Sequence, residues 1–261
     1  MAFVVNCSIG IIGFGRFGRL MAHYLLPDCH VRAHDTSVRP EAIAAVGAAP
    51  AAIGEVCRSD IVILAVPISR LQGLLSAIRP HLPPECLVVD VCSVKEQPVR
   101  WMQELLPETV DILGTHPMFG PDSAADSLDG RKIVICPVRI GAKRLEKVKR
   151  YLGSKGLVLI ETSAEDHDRQ IAVSLALTHT IGRSLALFGA KPQVIDTEGY
   201  QRLLRILEVV ENDTWQLFED MNRYNLYAQD ARQAFITAMH DIEGKLRGKD
   251  RKTCGGMKLR S

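Results

Sequence analysis

Six residues near the amino terminus constrain this chain more than any other feature. Gly13-Phe14-Gly15-Arg16-Phe17-Gly18 follows an apolar run at 7–12 and opens a segment of helical spacing that begins near Arg16. A lone G-x-G-x-x-G is weak evidence. Here a second apolar run at 31–34 follows, ending on Asp35, 22 positions beyond Gly13. Strand, glycine turn, helix, strand and acid, in that order, spell a dinucleotide-binding unit. The glycines allow the tight turn and let backbone N–H groups at a helix N-terminus approach a pyrophosphate. Gly13, Gly15, Arg16, Phe17 and Gly18 are therefore expected against the cofactor. Asp35 is placed to accept hydrogen bonds from the adenosine ribose, which favours NAD. Thr36, Ser37 and Arg39 follow at once and would cradle the extra phosphate of NADP if Asp35 turned away. The expectation leans to NAD.

Further apolar runs lie at 61–66, 87–91, 111–114, 133–137 and 157–160. They are almost wholly apolar rather than alternating, as suits parallel strands covered on both faces. The segments between them, such as 70–78 and 97–106, carry helical spacing. The pattern predicts an α/β fold over residues 1–162: a doubly wound, mostly parallel, Rossmann-type sheet. Beyond Ala164 the apolar residues recur at three and four, through Ile171, Leu175, Thr178 and Ile181, then Leu203, Leu204, Leu207 and Val210. Long helices follow, broken by a loop at 189–196, and make an all-α domain at 163–247. Residues 248–261 read as a basic, disordered tail, with fraying from about 244.

Charge and cysteine usage narrow the class. Lys and Arg number 32 against 30 Asp and Glu, a formal net charge of +2. That argues against a nucleic-acid binder, which would carry a marked basic excess. The seven cysteines are scattered, with no C-x-x-C pair and no zinc spacing, so no metal is expected and free buried thiols in a reducing, cytoplasmic compartment are. The first residues lack the cationic start of a signal peptide, and no uninterrupted apolar run approaches the ~20 residues of a membrane helix.

Chemistry-bearing residues gather at the carboxyl ends of the predicted strands, where such a sheet places its ligands. These are Ala65-Val66-Pro67-Ile68-Ser69, Asp90-Val91-Cys92-Ser93-Val94-Lys95 and Thr115-His116-Pro117-Met118-Phe119-Gly120-Pro121. A fourth group, Glu165-Asp166-His167-Asp168, precedes a helix bearing Thr178-His179-Thr180-Ile181-Gly182-Arg183. For His23, His30, His34, His81 and His240 a surface or core role is the default.

Taken in order, these segments, with Ile195-Asp196-Thr197-Glu198-Gly199-Tyr200 and Arg223-Tyr224-Asn225, resemble the prephenate/arogenate dehydrogenase family of tyrosine biosynthesis, most closely its plant-type branch. The resemblance covers nearly the whole chain, and T-H-P-M-F-G-P is its most specific string. It implies NAD(P)-dependent oxidative decarboxylation of a cyclohexadienol, with the protein supplying positioning, a base and carboxylate binding. His116 matches the family's catalytic histidine. Ser93 matches the serine between nicotinamide and substrate hydroxyl, and Pro67 lies with it on the cofactor side. His179 matches a second active-site histidine, with Thr178 beside it. His167-Asp168 reads equally well as a helix start capped by Ser163 or Asp166.

A dianionic substrate needs placed cations, for which Arg183, Arg202 and Arg205 are candidates. Asp213 matches an acidic position of the plant-type branch and is the candidate for choosing arogenate, which carries an ammonium, over prephenate, which carries a keto oxygen. Prephenate as main substrate, another two-domain dehydrogenase of the β-hydroxyacid type, and an inert nucleotide sensor remain as alternatives. The β-hydroxyacid type normally places a lysine on its helical domain, where this chain has His179. The helical residues are too few to close a generous core alone, so a homodimer through them is expected.

Overall fold

The structure, a computed structural model, describes residues 7–253. Strands β1 (Ser8–Ile12), β2 (His30–His34), β3 (Ala49–Pro50), β4 (Ile61–Leu64), β5 (Leu87–Asp90), β6 (Asp111–Pro117), β7 (Lys132–Arg139) and β8 (Val158–Glu161) form one sheet in the order 3-2-1-4-5-6-7-8. The chain reverses its direction of travel between β1 and β4, so the crevice at that switch point is where an open sheet of this kind takes a ligand. All pairings are parallel except β6 with β7. Helices α1 (Arg16–Leu25), α2 (Pro40–Ala44), α3 (Ile53–Val56), α4 (Ile68–Ile78), α5 (Glu96–Leu105) and α6 (Ala142–Ser154) connect the strands. The nearly unbroken apolar strands are buried from both sides: Ile9, Ile11, Val31 and Ala33 pack in one cluster, and Leu64, Val88 and Ile112 pack with Leu71, Leu75 and Met102 in another.

One strand is longer than the sequence indicates. Its apolar run ends at Gly114, yet β6 continues to Pro117, because antiparallel pairing with β7 gives Thr115, His116 and Pro117 the partners Ile135, Val134 and Ile133. His116 thus stands within a strand, not in the loop after it.

After β8 the chain is helical: α7 (Ala164–Ile171), a π-helical stretch (Ala172–Leu177), α8 (Thr178–Phe188), α9 (Glu198–Glu211), α10 (Trp215–Arg223) and α11 (Ala228–Thr253). Ser163, Thr197 and Thr214 cap α7, α9 and α10, each hydroxyl accepting a backbone N–H of the first turn. Gly189, at φ +79°, ends α8 in the left-handed conformation. Gly182 lets α8 and α9 close together, since a Cβ there would come within 2.9 Å of both Val210 methyls. The helical part docks on the sheet through α4 and α5, where Ala176, Met221 and Ala228 join the core of Leu71, Leu75 and Met102.

Two departures from expectation concern the helices. The tail expected from 248 is still helix as far as Thr253, where Arg247 pairs with Glu243 one turn back; residues 254–261, including Cys254, lie outside those described. The continuous 25-residue helix at 164–188 is, by length and composition, apolar enough to cross a membrane, the one such helix among the described residues. It nonetheless buries His179 and brings Arg183 onto the backbone of Asp213. Its apolar outer side continues in exposed Val173, Leu187 and Phe188.

Candidate active site

The glycine turn divides its labour by residue. Gly13 has φ +98°, and a Cβ on it would lie 2.2 Å from the carbonyl oxygen of Ala65. Gly18 presses α1 onto the turn, where a Cβ would meet the oxygen of Gly13 at 2.1 Å. Gly15, the N-cap of α1, has nothing within 4 Å of its Cβ position, and no side chain caps the helix. The first amides of α1 therefore face open space that an anion can enter, so the turn fits a dinucleotide pyrophosphate. Phe14 is buried, whereas Phe17 is half-buried against Phe119.

Asp35 does not point freely outward. One carboxylate oxygen accepts the amide of Phe14 at 2.7 Å, and the other accepts those of Ser37 at 2.7 Å and Val38 at 3.0 Å. Burial acts to raise its pKa, but these backbone hydrogen bonds outweigh that and hold the carboxyl below its ordinary range. Thr36, Ser37, Arg39 and Pro67 are exposed around it or on the next loop. Arg16 is drawn across the crevice to the Asp122 carboxylate and the backbone oxygen of Asn212. That contact brings the 212–213 turn of the helical part over the glycine turn.

Ser93 and His116 occupy neighbouring strand ends, since Asp90 of β5 pairs with Gly114 of β6. Both are buried, and the Ser93 hydroxyl has no hydrogen-bond partner among the described residues. Lys95 underlies them: fully buried, its ammonium is shared between Asp90 and the carbonyl of Thr115, while the Thr115 hydroxyl donates to the Asp90 carbonyl. Burial first, then the neighbouring His167 and Lys95, pushes the His116 imidazole well below its ordinary range. It is therefore neutral near pH 7 and able to take a proton.

His116 Nδ1 lies 2.9 Å from Nε2 of His167, whose Nδ1 lies 2.7 Å from a carboxylate oxygen of Asp168. Asp168 also accepts the amides of Lys95 at 2.7 Å and Glu96 at 2.9 Å, and its backbone oxygen accepts Asn225 Nδ2 at 2.8 Å. Sequence reasoning placed His167 and Asp168 at a capped helix start. Ser163 does cap α7, but these two side chains turn inward. Side-chain direction has no trace in residue order, which is why this network escaped notice.

On the helical side, His179 Nε2 lies 3.7 Å from Asp213 Oδ2, and its Nδ1 is buried without a partner. Burial lowers its pKa despite Asp213. Arg183 donates to the backbone oxygen of Asp213 and stacks on Trp215 and Phe218, leaving Nε buried and unpartnered. The Thr178 hydroxyl is taken up by Ser174 O one turn back. Arg205 is exposed on α9, and Arg202, equally exposed, pairs with Glu198. The structure thus brings together His179, Arg183 and Asp213, and leaves Arg205 on the surface.

Residues 31–161 match the family model described as prephenate dehydrogenase, nucleotide-binding domain, and residues 184–257 match a TYRAAT1-like C-terminal domain. Chloroplastic arogenate dehydrogenase 2 of Arabidopsis thaliana is 34% identical over 97% of this chain and 75% of its own length. Arogenate dehydrogenase 1 of the same plant is 31% identical over 93% of this chain, which spans 39% of that protein. The crystal structure of Aquifex aeolicus prephenate dehydrogenase in complex with hydroxyphenyl propionate and NAD+ shares the fold, with a TM-score of 0.74 at 21% identity over 96% of this chain and 93% of the other.

Proposed function

The chain belongs to the prephenate/arogenate dehydrogenase family, NAD(P)-dependent oxidoreductases of tyrosine biosynthesis, and we propose that it oxidatively decarboxylates arogenate with NAD, using His116 as general base. The observation that carries this reading is the buried His116 and the unpartnered Ser93 hydroxyl at the neighbouring carboxyl ends of β6 and β5.

The Gly13–Gly18 turn, with Pro67 and Ser93, would hold a nicotinamide dinucleotide, which would supply the hydride acceptor when bound. His116 takes the proton of the substrate hydroxyl as hydride leaves the same ring carbon, and the O–H electron pair becomes the carbonyl bond. The bond to the ring carboxylate then breaks. Carbon dioxide departs, its electron pair restores the aromatic ring, and the resulting phenolate takes back the proton held by His116. The cycle neither gains nor loses a proton, so the base has no need of bulk water, consistent with its 6% exposure. Ser93 orients the hydroxyl toward His116, and Arg183 offers its unpartnered Nε–H to a substrate carboxylate, with His179 beside it.

Asp213 supports arogenate over prephenate. A carboxylate ~4 Å from an ammonium attracts it by about 4 kcal/mol at an effective dielectric of 20, and screening at this partly exposed side chain reduces that to ~1 kcal/mol. Asp35 supports NAD: its carboxylate is pinned at the end of β2, where a 2′-phosphate would meet its charge. A second copy of the chain supplies the cover for Val173, Leu187 and Phe188 and for the stripe of Ile236, Met239, Ile242 and Leu246 on α11. Light scattering should report a dimer at micromolar concentration.

The test of the reaction is to follow nicotinamide reduction with arogenate or prephenate against NAD or NADP. Arogenate with NAD should have the highest kcat/KM, and inactivity in all four pairings would overturn the reading. Asp213→Asn should move the arogenate-to-prephenate ratio of kcat/KM toward prephenate by ~5- to 10-fold.

A further inference from the structure

We propose that Asp168 and His167 are positioning residues that fix which nitrogen of His116 is the base, and so decide whether it can act as one. This rests on the reading of His116 as general base.

A carboxylate only accepts hydrogen bonds, so the nitrogen of His167 that meets Asp168 must carry a proton. In the proposed arrangement the opposite nitrogen of His167 presents a lone pair, and the His116 nitrogen 2.9 Å away donates to it. With its proton committed to Nδ1, His116 leaves Nε2 as the only acceptor for the substrate hydroxyl. A cationic His167 would reverse the order: it would donate to His116 Nδ1 and force the proton onto Nε2, where it would block catalysis. The two rings meet edge to face at 5.1 Å, a geometry that suits a directed hydrogen bond rather than stacking.

Asp168 is fully buried and has other partners besides His167: it accepts the first amides of α5 from Lys95 and Glu96. The same carboxylate therefore anchors the Ser93 loop and, through His167, the histidine on β6. The charged and titratable groups that face His116 are His167 from α7 and Lys95 from the β5–α5 loop, with Asp90 beyond the lysine. When His116 accepts the hydroxyl proton, its Nδ1–H bond to His167 becomes charge-assisted, and Asp168 supplies the counter-charge at the far end. The protonated state is stabilised without opening the site to water.

The experiment uses the full-length protein labelled with 15N in histidine, with His116→Gln identifying the His116 signals. In the wild type, His116 should show a protonated Nδ1 and an unprotonated Nε2. His167→Phe keeps the ring volume but removes the acceptor, and should lose that tautomer preference. Its kcat should fall ~10- to 100-fold with KM for arogenate little changed and the acid limb of the pH profile displaced. His167→Gln, which can offer an amide oxygen to Nδ1–H, should recover part of the loss. If His116→Gln remains active, the base assignment itself fails. If His116→Gln is inactive while His167→Phe keeps wild-type kcat, pH profile and tautomer signals, the relay is wrong and the base assignment survives.

Discussion

Asp220 offers a way to weigh the junction between the helical part and the sheet. It is 2% exposed on α10, and one carboxylate oxygen accepts both the amide and the hydroxyl of Ser69 at 3.0 Å. Ser69 is the second residue of α4, so its amide has no partner within that helix. Asp220 thus caps α4 from another part of the chain, while Gln216 holds its second oxygen at 2.7 Å. Each hydrogen bond to a charged acceptor contributes ~1.5–3 kcal/mol. Taking the two bonds to Ser69, and allowing water to replace part of the loss, Asp220→Ala should cost about 3 kcal/mol. At ~2–4 °C per kcal/mol for a chain of this size, the melting temperature should fall by about 6–12 °C. Ser69 follows the Pro67 turn, so a loosened α4 should also raise the KM for the cofactor more than that for arogenate. Calorimetry and initial rates measure both. A fall of less than about 2 °C would show that α4 does not depend on this cap.

Three further outcomes follow from the same structure. Gly15→Ala should fold with an unchanged melting temperature yet raise the cofactor KM ~10-fold, because its methyl enters the space left for the pyrophosphate, whereas Gly18→Ala should lose ~1–3 kcal/mol of stability by pressing on Gly13. His116 and His179 have folded pKa values lowered by burial, so the unfolded chain binds more protons. Stability should be full above about pH 6.5 and fall as the pH drops below it, with a shallower fall in His116→Gln, as urea titrations across pH would read. Lys95→Met strands the buried Asp90 carboxylate and should cost ~3–5 kcal/mol, most of it recovered in the double variant with Asp90→Leu; an equally unstable double variant would refute the pairing.

The sheet was legible because its strands are buried on both faces and so write unbroken apolar runs. The glycine turn was legible because its backbone demands particular residues at particular places. The end of β6 was not, since its last three residues owe their extended form to β7, a partner that local sequence does not mention. Ser93, His116 and His179 were recognisable as motif residues, but His167 read as part of a helix start until its ring was seen against His116. Arg183 and Arg205 looked equivalent as helix-borne cations. Only the packing of α8 against α9 and the 212–213 turn separates one from the other.

The π-helical stretch between α7 and α8 has a consequence for helix phase. His167 and His179 are twelve residues apart, and on an uninterrupted α-helix at ~100° per residue they would point about 120° from one another. A π turn accommodates one residue more than an α turn, so the effective spacing drops to eleven, and the angle to about 20°. Both histidines are buried. Wound as α-helix throughout with its twelve-residue spacing kept, the stretch would swing His179, Arg183 and the rest of α8 away from the side that His167 faces, with no reacting group altered; removing a single residue from 172–177 and restoring α winding would keep the phase. The π winding thus absorbs one extra residue and keeps the second half of the site turned toward the first.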